Sequence, residues 1–190
     1  MAGPVQVSRI EERLGAAGLE LLGPCEQLSR YPQLLAHSAL LHDFTPAQAD
    51  VLGAAMLRVR AHGGQVQIAE DEASDWMMLL LAGTVDVIKR KVGVDAQGHP
   101  ETATTRLAVL KEGASLGEMS MLDGEPRYAS CIALSEVEVA VLTRAAIAGL
   151  ISTQPEVGAK LLVKLTQLLA QRLRNTSSQL VKVLSKQAAA

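Results

Sequence analysis

The sequence predicts a mainly β domain flanked by helices, its strands forming an antiparallel barrel or sandwich rather than a parallel α/β sheet. Three observations carry this. Short apolar or alternating runs recur from Met56 to Leu142 with glycines between them. Helix-start signals cluster ahead of that region, and one uninterrupted helical pattern follows Pro155. The 190 residues suit a single buried core with extensions. Tyr31, Phe44, Trp76 and Tyr128 are the only aromatics, so aliphatic side chains must fill the interior.

Taken in order, Ser8 followed by Glu11 has the capping-box form, and Ile10, Leu14, Leu19 and Leu22 share a helical face, which predicts a helix over 9–22 closed by Gly23-Pro24. A second helix is expected over 31–42, with Leu34, Leu35, Leu40 and Leu41. Thr45-Pro46 then supplies an N-cap and a first-position proline for a third. Three helices thus precede the first strand. LRVRAH and QVQIAE alternate around the Gly63-Gly64 turn. WMMLLLA is an apolar strand that turns at Gly83 into TVDVIKRK. The polar stretch 92–103 reads as a loop before TTRLAVL, and ASCIAL and EVEVAVL complete the strands. Thr143 caps a short helix, and Pro155 opens a long one ending near Lys186. Leu169, Leu173, Thr176, Leu180 and Val183 alternate spacings of four and three, the seam of a two-stranded coiled coil. The first half of this helix could equally pack on the chain's own barrel; the second half calls for a partner helix.

The formal net charge is −2 and no segment gathers Lys and Arg into a basic stripe, which disfavours direct nucleic-acid binding. No leader pattern or membrane-length apolar run is present in the sequence, so a cytoplasmic protein without membrane insertion is expected. Cys25 and Cys131 lie far apart and outside any CxxC pattern, as buried thiols would. His37, His42, His62 and His99 show no HxxxH spacing, so neither a metal, a cofactor nor hydrolytic chemistry is expected.

The segment LGEMSMLDGEPRYAS, residues 116–130, carries the chemistry. Gly117 allows a bound group close to the backbone, and a helical turn starting at Glu118 would aim its free N–H groups outward at an anion. Arg127 offers a permanent cationic fork suited to two oxygens of one phosphate. Glu118, itself negative, suits a sugar hydroxyl, its charge partly balanced by Arg127. The same two residues could instead form only a structural ion pair.

That segment resembles the phosphate-binding cassette of cyclic-nucleotide-binding domains, and QIAEDEASDWMMLLLAG resembles the strands before it. The resemblance spans about residues 38–187, and with the Crp/Fnr-like catabolite activators it runs without gaps from Arg127 through the long helix. It implies an eight-stranded β-roll with flanking helices: an extension over 1–37, the roll over 38–153 and a lid and dimerisation helix over 154–187. It implies a ligand, cAMP foremost, held by Gly117, Glu118, Met119, Ser120, Arg127, Tyr128 and Ala129. Thr176 and Ser177 match the hydroxyl residues that contact adenine, one from each subunit of a homodimer, although NTSS could also be an ordinary helix surface. Two departures stand out. Tyr128 follows the cassette arginine where Ala, Ser or Thr is usual, which touches ligand identity. Asp71-Glu72 replaces Gly-Asp, which touches a turn but not the pocket. After Lys186 only Gln-Ala-Ala-Ala remains, so the activators' helix-turn-helix domain is expected to be absent.

The expected function is a non-enzymatic cAMP sensor whose helices rearrange to control a protein partner not identified by the sequence. The alternatives are a sensor for cGMP or a cyclic dinucleotide, and a ligand-independent dimerisation scaffold with a degenerate cassette.

Overall fold

The computed structural model describes residues 4–94 and 100–188. Helix α1 (Pro4–Ala16) leads into β1 (Glu20–Pro24), a 3₁₀ turn (Leu28–Arg30), α2 (Pro32–His37) and α3 (Pro46–Ala54). The roll follows as β2 (Leu57–Ala61), β3 (Val66–Ile68), β4 (Trp76–Ala82), β5 (Thr84–Val94), β6 (Pro100–Lys111) and β7 (Ser115–Leu116). Then come α4 (Glu118–Asp123), β8 (Ser130–Ala133), β9 (Val137–Thr143), α5 (Arg144–Thr153) and α6 (Pro155–Ala188).

Two antiparallel sheets face each other, in the orders β1-β2-β9-β4-β7 and β3-β8-β5-β6. The eight strands β2–β9 make the expected roll, and β1 adds a ninth at an edge by pairing with β2. Consecutive strands mostly part company: after the turn carrying Gly64 (φ +88°), β3 leaves β2 for the other sheet, and at Gly83 β5 likewise leaves β4. Gly83 has φ +90°, and a Cβ there would lie 2.3 Å from the Glu136 carbonyl.

The apolar run in β4 is explained by burial on both faces. Met77, Leu79 and Leu81 join a core shared with α3, α5 and α6. Trp76, Met78 and Leu80 instead join the core between the two sheets. Thr45 and Gln48 form the full capping box at α3, and Thr143 caps α5 through the Ala146 amide. Val157, Leu161 and Leu165 bury the first half of α6 on the helical core. Leu173, Leu180 and Val183 leave an apolar row exposed on the second half.

Four expectations are corrected. The first helix stops at Ala16, not at 22, and Ser8 lies inside it rather than capping it. Gly18, at φ +73°, ends it with the paired bonds Leu19 N–H to Leu14 O and Gly18 N–H to Gly15 O, which satisfy its last carbonyls. A strand, β1, therefore precedes the third helix. The second helix covers only Pro32–His37, though Leu40 and Leu41 are still buried. Much of 92–103 is strand, since β5 and β6 pair along their length; residues 95–99 lie outside the described residues.

Candidate ligand-binding site

Between the two sheets, one pocket of about 150 Å³ is lined by Gly117, Glu118, Met119, Ser120, Arg127, Tyr128 and Ala129. A larger cavity of about 400 Å³ near Ile10, Met56 and Leu150 has no charged side chain in its lining and offers nothing to hold an anion. Seven of the nine expected ligand residues thus meet around one space. Thr176 and Ser177 do not line it; they are exposed on α6.

Gly117 takes a left-handed conformation (φ +73°) between β7 and α4. That bend starts α4 at Glu118, as expected, so the first-turn amides lack partners within the helix. The other end of α4 is held by Arg144, whose Nε donates to the Met121 carbonyl at 2.7 Å. Ser120 is buried, its hydroxyl 3.4 Å from the Pro126 carbonyl.

Arg127 is only 2% exposed. Its fork does not stand free: Nη1 donates to the Gly117 carbonyl and Nη2 to the Trp76 carbonyl, each at 2.5 Å. Nε has no partner among the described residues. An arginine has five N–H donors, so two bonds to carbonyls leave three for an incoming anion. Desolvation pulls this guanidinium down to about 10, a sign that it is buried without full charge compensation.

Glu118 is fully buried, and its direct partner is Arg172 of α6 rather than Arg127. This corrects the expected pairing; Arg127 and Glu118 interact only through their fields. Arg172 also donates to the Ser115 carbonyl at 2.8 Å and approaches its hydroxyl at 3.3 Å, tying α6 to β7 and α4 at once. The other carboxylate oxygen, Oε2, has no partner among the described residues. Arg172 was missed because nothing local marks it, although it stands one helical turn before Thr176.

Tyr128 is 62% exposed, so its bulk does not fill the place of a phosphate. Its ring turns outward, with the Lys89 ammonium 4.5 Å from the centroid, and its carbonyl accepts from Lys89 at 2.7 Å. Asp71 stands at φ +67°, the left-handed conformation a glycine would favour there. This turn is bonded to the backbone of the cassette arginine: Asp71 N–H donates to the Arg127 carbonyl and Arg127 N–H to that of Glu72, both at 2.9 Å. Cys131 also lines the pocket, its thiol pushed up to about 12 by burial.

His42 is followed by Asp43, whose carboxylate meets His42 Nε2 at 3.2 Å with one oxygen and Lys164 with the other, and no cluster of metal-ligating side chains exists among the described residues. No helix of the described residues is long and apolar enough to cross a membrane.

The family model described as cyclic nucleotide-binding domain matches residues 58–154, the stretch that holds Gly117, Glu118 and Arg127. The chain belongs to the cyclic nucleotide-binding domain family. A CRP-like cAMP-activated global transcriptional regulator from Mycobacterium tuberculosis is 26% identical over 148 residues, covering 78% of this chain and 61% of that protein. A solved cyclic nucleotide-binding domain from Methylobacillus flagellatus matches with TM-score 0.70 and 30% identity, over 86% of this chain and 88% of the other. The catabolite activator protein of Thermus thermophilus matches at 0.64 and 27%, over 77% of this chain and 63% of that one. This cyclic nucleotide-binding domain thus spans about three fifths of the regulators it resembles.

Proposed function

We propose that this cyclic nucleotide-binding domain is a non-enzymatic cAMP sensor of the cytoplasm, acting as a homodimer through α6 and controlling a protein partner. The observation that carries the reading is the buried Glu118 carboxylate: one oxygen is unpartnered, the other is held by Arg172 of α6. A ribose hydroxyl donating to Glu118 enters the same bond network that fixes the helix. At about 150 Å³ the site is smaller than the ~300–1,000 Å³ usual for ligand pockets, and in this reading it opens further to take a nucleotide. Arg172 lines it and stands on α6, so in this reading a shift of Arg172 on nucleotide entry couples binding to the helix. The phosphate goes to Arg127 and the α4 amides. Thr176 and Ser177, a turn beyond Arg172, reach the base from a lid position shared between two copies. In this reading 38–153 is the sensor roll, 154–187 the lid and dimer helix, and 1–37 the extension.

Titration calorimetry with cAMP and cGMP tests this directly. We expect cAMP to bind more tightly than cGMP, and Arg127→Ala to weaken cAMP at least about tenfold, the equivalent of one charge-assisted hydrogen bond, without unfolding the domain. Absence of heat and of thermal stabilisation at high micromolar cAMP and cGMP would overturn the sensor reading for both, leaving a cyclic dinucleotide sensor or the ligand-independent scaffold. Tyr128 is 62% exposed at the edge of the pocket and engaged by Lys89, which counts against its ring filling the cassette.

A further inference from the structure

Arg127 belongs to the cassette, but much of what holds it lies outside. Its guanidinium carbon is 4.4 Å from the centroid of the Trp76 ring, and the Trp76 carbonyl accepts from Nη2. One residue at the start of β4 therefore presents both a π face and a carbonyl to the same cation. On the other side, Gly117 gives a carbonyl and the space for close approach, since a Cβ there would lie 2.3 Å from Nη1. Among the described residues no carboxylate is paired with this guanidinium; its neighbours are two carbonyl dipoles and an aromatic quadrupole. Dipoles and a ring face hold a cation in place without neutralising it. Trp76 is 3% exposed and its indole N–H is itself unpartnered, so the contribution of the side chain here is its face rather than its hydrogen bond.

The geometry points to Trp76 as the positioning residue for the phosphate contact: its ring fixes the plane of the Arg127 guanidinium and leaves that cation's charge for the ligand. This rests on the cyclic-nucleotide reading above. A phenylalanine keeps a ring face and a leucine removes it, while the backbone carbonyl persists in both. Loss of a cation–π contact corresponds to roughly 3- to 30-fold in affinity.

The test is a calorimetric cycle with cAMP on the wild type, Trp76→Leu, Trp76→Phe, Arg127→Ala and the Trp76→Leu/Arg127→Ala double variant. Trp76→Leu is expected to bind about 3- to 30-fold more weakly, and Trp76→Phe to stay within about threefold of wild type. The double variant should bind no more weakly than Arg127→Ala alone, because the ring acts only through the arginine. Additive losses, or unchanged affinity in Trp76→Leu, would overturn the assignment and leave the sensor reading intact. Trp76 is the chain's single tryptophan, so wild-type emission reports on the stack even if Trp76→Leu does not fold. Emission that differs between the wild type and Arg127→Ala supports the stack, because that variant removes the cation from the ring, and identical emission in the two refutes it. A wild type that binds no cyclic nucleotide would overturn both the sensor reading and this one.

Discussion

Gly117 sits at φ +73° with its Cα facing the Arg127 guanidinium, so an alanine there meets two penalties. The left-handed conformation costs a residue with a Cβ about 1–2 kcal/mol, and the methyl must push Nη1 aside. Gly117→Ala is expected to lower unfolding stability by roughly 1–3 kcal/mol and to weaken cAMP binding beyond what lost stability explains. Urea denaturation and calorimetry measure the two effects separately; wild-type affinity in this variant would show that the close approach is not needed. At this scale the cassette was legible, because Gly117, Glu118 and Arg127 sit within one segment with a chemistry each. The partner of Glu118 was not. Arg127 is nearer in sequence, but Arg172 reaches it from α6, and a pairing between distant elements leaves no local pattern to read.

Among elements, α6 divides into a buried half and an exposed half. Val157, Leu161 and Leu165 are satisfied by the chain's own core, whereas Leu173, 69% exposed, begins a row that continues through Leu180 and Val183. The proposed occupant of that row is a second copy of α6. Leu180→Glu, at an exposed position of α6, is expected to turn a dimer into a monomer in light scattering while leaving the melting temperature of the roll little changed. An unaltered mass would remove α6 from the interface. The helix itself was legible because no glycine or proline interrupts it after Gly158, and its exposed apolar row because the four-three spacing is present in the sequence. The first helix was misread for a specific reason. Leu19 and Leu22 continue a plausible helical face, yet Gly18 already closes the helix, and a lone glycine is a weaker signal than Gly23-Pro24 five positions later.

For the whole molecule, two ion-paired carboxylates, Asp43 at the surface and the largely covered Glu70, contribute to the acid limit. Asp43 is held below the ordinary carboxylate range chiefly by its hydrogen bond from Lys164, and Glu70 chiefly by the Arg90 amide, then by Lys89. A carboxylate whose folded-state pKa is lowered adds stability that is complete above its unfolded value of about 4 and fades as pH falls through the folded value. The melting temperature should therefore be flat from neutral pH to about 5 and decline below about 4. Asp43→Asn should melt lower at pH 7 and lose part of that acid decline; an acid limb identical to wild type would mean that the Lys164 contact adds nothing. The two sheets also bear on how fast this structure can form. Only β5 and β6 are neighbours in sequence that also pair directly across a short connection; β2 waits for β9, with Leu57 opposite Val141, and β3 waits for β8. Each such ladder closes a long loop before any contact rewards it, so high contact order governs the kinetics. Folding on the millisecond-to-second scale, with the β5–β6 hairpin as the one strand pair able to form locally, follows from strands that leave their sequence neighbours for the opposite sheet.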